Sequence, residues 1–421
     1  MTRKRVFFPV LALTAATAVL ASSCSSTTED KVTLTVATFG EFGYEPLFKQ
    51  YEKDHPNIHV QGRVADFDAH NKQLVTALAS GRGAADIEAV DEQYIPVIRQ
   101  SPDKFVDLAS FGAQQLSAQW APWKWDQGVA KNGFVLGLGT DMGGLAMCYR
   151  PDLLAKAGLP TDREQVAKLW PTWEKYAEVA DRFTAANTGA KFADSAGTIY
   201  TAMINQAPEN YFARADDSFI ADKNPSLKHA FDVAGAIGAK GETAGVTPYT
   251  QEWNVAIKQG SFATIACPAW QLKQISEAGG EQNKGKWDVA TVPGGSGNNG
   301  GSFLTVPKQG KHPKEAYDLA AWLTAPAQQK QLFLSAGILP SEPSVYHDPE
   351  VLNKTDAYFS NAPTGRIFAS SADDLRPNYR GLRDRDVAPE FGRALGRVES
   401  RKQGADEAWG QAVQGARGVL K

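Results

Sequence analysis

The chain has 421 residues, 43% of them apolar, and carries a formal net charge of -3 with both signs mixed along its length. That length exceeds what a single hydrophobic core usually covers, so two domains are expected. A near-neutral balance without a basic run leaves no electrostatic footprint for nucleic acid, which argues against that partner.

Arg3, Lys4 and Arg5, followed by the apolar run Val6 to Leu20, form a signal peptide over residues 1–23; the run is too short to span comfortably as a mature helix. The junction Leu20-Ala21-Ser22-Ser23-Cys24 resembles the lipobox of bacterial lipoproteins, in which the cysteine becomes the lipidated first residue after cleavage. It departs from that pattern at Ala21, where leucine is usual, and ordinary cleavage near Ser23 is the alternative. Residues 24–31, small and polar, then form a lipidated tether. Beyond Cys24 the chain has Cys148 and Cys267, both in apolar strand-like runs. In an oxidising compartment neighbouring strands can join them by a disulfide. Two buried free thiols are the alternative, because spacing does not fix connectivity.

Val32 to Ala37 alternates as a strand does, and Phe39-Gly40-Glu41-Phe42-Gly43-Tyr44 follows as an aromatic loop punctuated by glycine. Pro46 opens a helix with Leu47, Phe48 and Tyr51 on its apolar face, and His55-Pro56 ends it before a strand at Ile58 to Val60. His55 and His59 straddle Pro56, so they share no helix face and make no metal site. Asp68 is expected to cap the next helix, whose stripe is Leu74, Val75 and Leu78. Ala85 to Val90 reads as a third strand delivering Asp91, Glu92, Gln93 and Tyr94. Strands alternating with helices over short links predict a parallel sheet in an α/β domain. Ligands of such sheets bind beyond the carboxyl ends of strands. That rule singles out Phe39 to Tyr44, Asp66 to Asp68, and Asp91 to Tyr94.

The glycine-rich stretch Gly137 to Gly144 runs into the apolar strand Leu145 to Tyr149 and reads as a hinge opening a second domain. It is no dinucleotide fingerprint, because Met142 stands at the third glycine position. Trp173, Tyr176, Ala180 and Phe183 share one helical stripe and read as core; residues 186–222 read as loop-rich. Leu227 to Gly241 and Asn254 to Gly260 read as helices, the second leading into a strand at Phe262 to Cys267. Pro268 breaks that strand and sets Trp270 just past its end, where an aromatic is well placed for a ligand. A second glycine cluster, Val292 to Gly301, precedes another strand and reads as the return crossing. Without a closing Gly-Lys-Ser/Thr it is not a phosphate loop. Gly337 to Ser341 suggests a third crossing, and a last helix begins at Ala405.

The segments LVTALASGRGAADI, GTDMGGLAMCYRPDLLAKAGLP, AIKQGSFATIACPAW, GGSFLTVPK, AWLTAPAQQ and YRGLRDRDVAPEFGRAL, in this order, resemble the large extracellular solute-binding proteins of bacterial ABC sugar importers. That family includes maltose-binding protein. GGSFLTVPK, the Ala-Cys-Pro-Ala-Trp turn and the YRG motif look most like the actinobacterial branch that binds cello-oligosaccharides and related β-glucosides. The resemblance implies an α/β, two-lobe periplasmic-binding-protein-like fold of type II with three hinge crossings. Lobe 1 would hold residues 32–139 and 300–340, and lobe 2 residues 140–299 and 341–421. It implies a monomer, lipid-anchored to the outer face of the cytoplasmic membrane, that hands an oligosaccharide to ABC transporter permease subunits. No catalysis, cofactor or metal is implied.

Sugar chemistry then assigns roles. A pyranose has an apolar face, which an indole covers, and a rim of hydroxyls, which carboxylates, amides and arginines bond in pairs. Trp270 is assigned to stacking, with Asp91, Glu92, Asp141 and Arg383 as hydroxyl partners. Phe39, Phe42, Asp66, Gln206, Asn299, Ser302 and Tyr379 complete the candidate set. Ten tryptophans, twelve tyrosines and twenty phenylalanines are enough for such a cleft, although most must be core. A lipid-anchored glycosidase is the rival reading, and needs two carboxylates flanking a scissile bond. Asp66, Asp91, Glu92 and Asp141 could supply them, yet no motif marks a pair. Receptors for maltose, chitobiose, xylobiose, amino acids or metal chelates are further alternatives; the last two would need a strongly charged pocket and no Trp270.

Overall fold

A computed structural model describes residues 31–421, so the signal peptide, Cys24 and the tether as far as Asp30 lie outside the described residues. The strands in chain order are β1 (Val32–Phe39), β2 (Ile58–Ala65), β3 (Ile87–Asp91), β4 (Gly137–Gly139), β5 (Leu145–Tyr149), β6 (Lys191–Ala193), β7 (Phe262–Pro268), β8 (Asp288–Ala290) and β9 (Ser302–Thr305). They form two sheets, ordered β2-β1-β3-β9-β4 and β6-β7-β5-β8. Helices pack on both and make the chain α/β.

In the first sheet β1 is parallel to β2 and β3, in the alternation its sequence predicts, with Leu34 and Val36 fully buried. The expectation of a parallel sheet stops there. β9 runs antiparallel to β3 and to β4. The reason is topological: β9 is the chain coming back from the second sheet, entering at the end where β3 leaves. The second sheet is mixed for the same cause, with β5 antiparallel to β7 and β8 while β6 is parallel to β7.

Three connections join the sheets. One links β4 to β5, one links β8 to β9, and the third leads from the helix Pro326–Ala336 to the helix Pro343–Tyr346. They lean on one another through isolated antiparallel bridges, Asp141 with Pro340 and Gly144 with Asn298. Gly143 must be glycine, since a Cβ there would lie 1.9 Å from the Asn299 carbonyl oxygen. Buried Gln329 ties the first connection to the third. Its amide nitrogen donates to the Gly139 carbonyl at 3.4 Å and to Glu342 Oε1 at 3.2 Å, and its oxygen accepts from the Ser341 N–H at 2.8 Å.

The helix Trp173–Ala185 buries Trp173, Tyr176, Ala180 and Phe183, as the 3.6-residue period predicts. Other details differ from the sequence reading. Asp66, not Asp68, caps the helix Phe67–Ser80, because its extended backbone lets Oδ1 accept from the Ala69 N–H at 2.8 Å. The stretch 186–222 holds β6 and the helix Ala196–Gln206, capped by Ser195 and burying Ile199, Tyr200 and Ile204. A three-residue strand and glycine- and asparagine-rich flanks hid them. β5 and β7 are neighbours as expected, and the sulfurs of Cys148 and Cys267 stand at bonding distance, 2.00 Å. Among the described residues no helix is long and apolar enough to cross a membrane.

Candidate functional site

β3 delivers Asp91 and Glu92 beside the second connection, and both are buried. Asp91 Oδ1 accepts from the Gln93 N–H at 2.9 Å, which closes the turn. The Glu92 N–H donates to the Gly301 carbonyl at 2.9 Å. Its carboxylate accepts from Asn298 Nδ2 and, at 3.2 Å, from Arg380 Nη2, which also donates to Asn205 Oδ1 at 2.8 Å. A carboxylate at the end of the first sheet is thereby held by side chains that pack beside the second. On the first connection, Asp141 Oδ1 accepts from the Ser302 N–H at 2.9 Å and from Thr140 Oγ1. Lys124, on the short helix Pro122–Gly128, is fully buried with Nζ 4.0 Å above the Phe303 ring. Among the described residues its ammonium has no hydrogen-bond partner.

These charges depend on one another. Burial, with the adjacent Glu92, pushes Asp91 up to about 7. Burial also pushes Glu92 up, against the pull of Arg380 and Lys124, and pushes Lys124 down, against Asp141, Glu92 and Asp91. Any one alone would be expensive to bury. Two cations set among three carboxylates keep the cost tolerable.

Aromatic rings stand at the strand ends of both sheets. Trp270 follows β7 directly and is partly exposed, and its Nε1–H donates to the Asn299 carbonyl at 3.0 Å. Gly300 beside it has φ +101°, and a Cβ there would come within 3.2 Å of the indole nitrogen. At the end of β1, Phe39 meets Phe42 and Phe67 edge-on, with centroids 5.1 and 5.2 Å apart. Arg385 lies 3.3 Å over the ring of Tyr94, a cation–π contact.

The fold therefore gathers Asp91, Glu92, Asp141, Ser302, Asn299 and Trp270 around the connections, with Phe39 and Phe42 at the end of the neighbouring β1. Gln206 is used by the protein itself: its amide donates to the carbonyls of Pro293 and Gly295, both at 2.7 Å, while its oxygen accepts from Trp173 Nε1 at 2.7 Å. Asp66 serves as an exposed helix cap. Tyr379 Oη donates to Asp217 Oδ1 at 3.1 Å. Arg383 turns away, binding Asp386 and, at 2.7 Å, the Val419 carbonyl of the last helix. Sequence reasoning missed Lys124, Asn205, Asn298, Arg380 and Arg385. Arg380 lies within the YRG segment, three residues before Arg383. The two histidines discounted as a metal site are engaged separately, His59 with Glu52 at 2.8 Å and His55 stacked on Tyr51 at 4.1 Å.

Residues 46–358, well over half of the chain, match the family described as bacterial extracellular solute-binding protein. The chain belongs to that family. This solute-binding protein is also 43% identical to a crystal structure of an extracellular solute-binding protein of family 1, with a TM-score of 0.84, covering 93% of this chain and all of that one. An arabinooligosaccharide-binding protein of Bacillus subtilis (strain 168) is 25% identical over 399 residues, spanning 86% of this chain and 87% of that protein. The fold is also that of the sugar-binding protein MalE from Xanthomonas citri, at 18% identity and a TM-score of 0.73 over 92% of this chain and 97% of that one. The architecture is thus the two-lobed type II arrangement with three hinge crossings, one sheet in each lobe.

Proposed function

We propose that this solute-binding protein captures an oligosaccharide between its lobes and delivers it to the permease of an ABC importer. The observation that carries the proposal is the Trp270 indole: partly exposed at the end of a strand, and pinned to the second crossing through Asn299. An indole so held offers a face for the apolar side of a sugar ring, and Asp91, Glu92 and Asp141 lie at the crossings beside it. The arabinooligosaccharide-binding relatives support the class of ligand. Within that class, cellobiose, longer cello-oligosaccharides or related β-glucosides are the first choice on the sequence resemblance, and arabino-oligosaccharides the second on the relatives. A binding role without catalysis follows the family.

Lobe 1 is taken as residues 32–139 and 300–340 and lobe 2 as 140–299 and 341–421, closing on the sugar about the crossings near Gly139, Gly300 and Ser341. A ligand drives such closure only by contacting both lobes, since it shifts an equilibrium by its differential affinity. The mature protein is a monomer with lipid on Cys24 and a Cys148–Cys267 bridge inside lobe 2. A heat-shift screen of cello- and arabino-oligosaccharides, amino acids and iron chelates tests the ligand class. Stabilisation by oligosaccharides without their turnover is the expected result; stabilisation by amino acids or chelates alone, or hydrolysis of a bound sugar, overturns it. Mass spectrometry of the mature N-terminus tests the anchor, and an unmodified peptide starting elsewhere removes it.

A further inference from the structure

The helix Asp384–Glu399 shares one core with the second sheet: its Val387, Phe391 and Leu395 cluster with Leu145 and Met147 of β5 and Ala263 of β7. Tyr94, just past β3, packs against a different core, made of Leu74, Val90 and Phe303 at the first sheet. Two side-chain contacts run directly from one body to the other. Arg380 Nη2 meets Glu92 at 3.2 Å, and the Arg385 guanidinium lies 3.3 Å over the Tyr94 ring. The second is held by the ring itself, because Arg385 Nη1 is buried without a hydrogen-bond partner among the described residues. Burial pulls the charge on Arg385 down, against the carboxylates of Asp91, Asp68 and Asp386. Two of those acids belong to the first-sheet body, Asp91 ending β3 and Asp68 opening the helix Phe67–Ser80. The guanidinium is thus turned away from the body that carries it and towards the other.

A guanidinium shielded from water gains more from an aromatic face than an exposed one does, and that gain is lost when the ring moves off. We infer that Arg385, seated on Tyr94 beside the Arg380–Glu92 pair, is a clasp between the lobes, so that the balance of open and closed forms is set partly by the chain's own residues. A ligand that needs the closed form binds in proportion to how often that form is populated. The clasp therefore raises affinity and slows release for any occupant of the cleft. The inference deepens the proposed function and rests on its lobe closure, not on which sugar is bound.

Small-angle scattering of the mature full-length protein, with no sugar added, isolates the clasp. Arg385→Gln and Tyr94→Leu should each enlarge the radius of gyration, whereas Tyr94→Phe, which keeps a ring, should match the parent. The double variant Arg385→Gln with Tyr94→Leu should open no further than either single one, since both break the same contact. Both side chains are partly exposed, so melting temperatures should stay near the parent's. Stopped-flow release of cellotetraose and of arabinotetraose adds a second readout: for the sugar that binds, the two opening variants should release it about fivefold faster. No enlargement in either single variant, or equal enlargement in Tyr94→Phe, overturns the clasp. If the parent binds neither sugar, the carbohydrate reading falls, while the scattering comparison still decides the clasp.

Discussion

The acids and the aromatic rings around the crossings are held on opposite principles. The acids are buried and already answered: Glu92 by Asn298 and Arg380, Asp141 by the Ser302 N–H. Trp270 donates to the Asn299 carbonyl and stays partly exposed, and Tyr249 beside it is 55% exposed. The difference separates two jobs that a list of ligand-like residues confuses. Charged groups buried in a network chiefly hold the hinge and set the electrostatics. Exposed rings have surface left to offer.

The largest expected effect comes from breaking the acidic side. Glu92→Ala leaves Arg380 buried without its counter-charge and should cost about 3–5 kcal/mol of stability. Urea unfolding measures it, and the double variant Glu92→Ala with Arg380→Ala should recover part of the loss. A loss below about 1 kcal/mol would mean that the pair is solvent-screened and the contrast between the sides is false.

Next is the pair Cys148 and Cys267, on neighbouring strands, the latter three residues before Trp270. Replacing Cys148 and Cys267 by serine should cost about 2–4 kcal/mol. Hydrogen exchange should quicken in 262–271 more than in 87–92, because β5 and β7 belong to the second sheet and β3 to the first. Two reactive thiols in the unfolded, unreduced parent would deny the bridge altogether.

Breaking the aromatic side should leave the fold alone. Trp270→Ala is expected to weaken sugar binding by about 1–3 kcal/mol, measured by calorimetry, with little change in melting temperature. Unchanged affinity would remove the indole from the site. Small-angle scattering with the same sugar should show a smaller radius of gyration on binding; an increase would contradict closure.

The subtlest effect is a slope. Asp91 titrates near 7 in the folded protein, above its unfolded value, so the folded state holds a proton that the unfolded state has lost. Its contribution to stability therefore declines as pH rises from about 4 towards 7. Asp91→Asn should flatten melting temperature against pH across that window, and an unchanged profile would mean that Asp91 is ionised throughout.

How far the sequence reveals this architecture depends on what each residue's position rests on. Trp270 was legible because Pro268 fixes a strand end, and the crossings were legible because glycines cluster at 137–144 and 294–301 ahead of apolar strands, although the contacts that require Gly143 and Gly300 come from Asn299 and Trp270, distant in the chain. Cys148 and Cys267 stand on strands whose apolar runs could be seen. Arg380 and Arg383 were not separable: both lie in one polar stretch, and only the helix beginning at Asp384 aims Arg383 at the last helix and leaves Arg380 facing Glu92. Lys124 belongs to a seven-residue helix too short to show a period.

The position of β9 also governs the order in which the molecule can be made. The first sheet keeps an inner place, between β3 and β4, for a strand that begins only at Ser302. Through most of synthesis, then, β3 has a bare edge with unmatched amides, the kind of edge that recruits strands from other molecules. The second sheet likewise waits for β7 to fill the place between β6 and β5. Neither lobe can finish as an independent N-terminal unit, as consecutive domains do when they fold off the ribosome. A nascent chain halted before Ser302 would carry two incomplete sheets, and reaching the far side of a membrane while still unfolded suits such a chain better than early folding would.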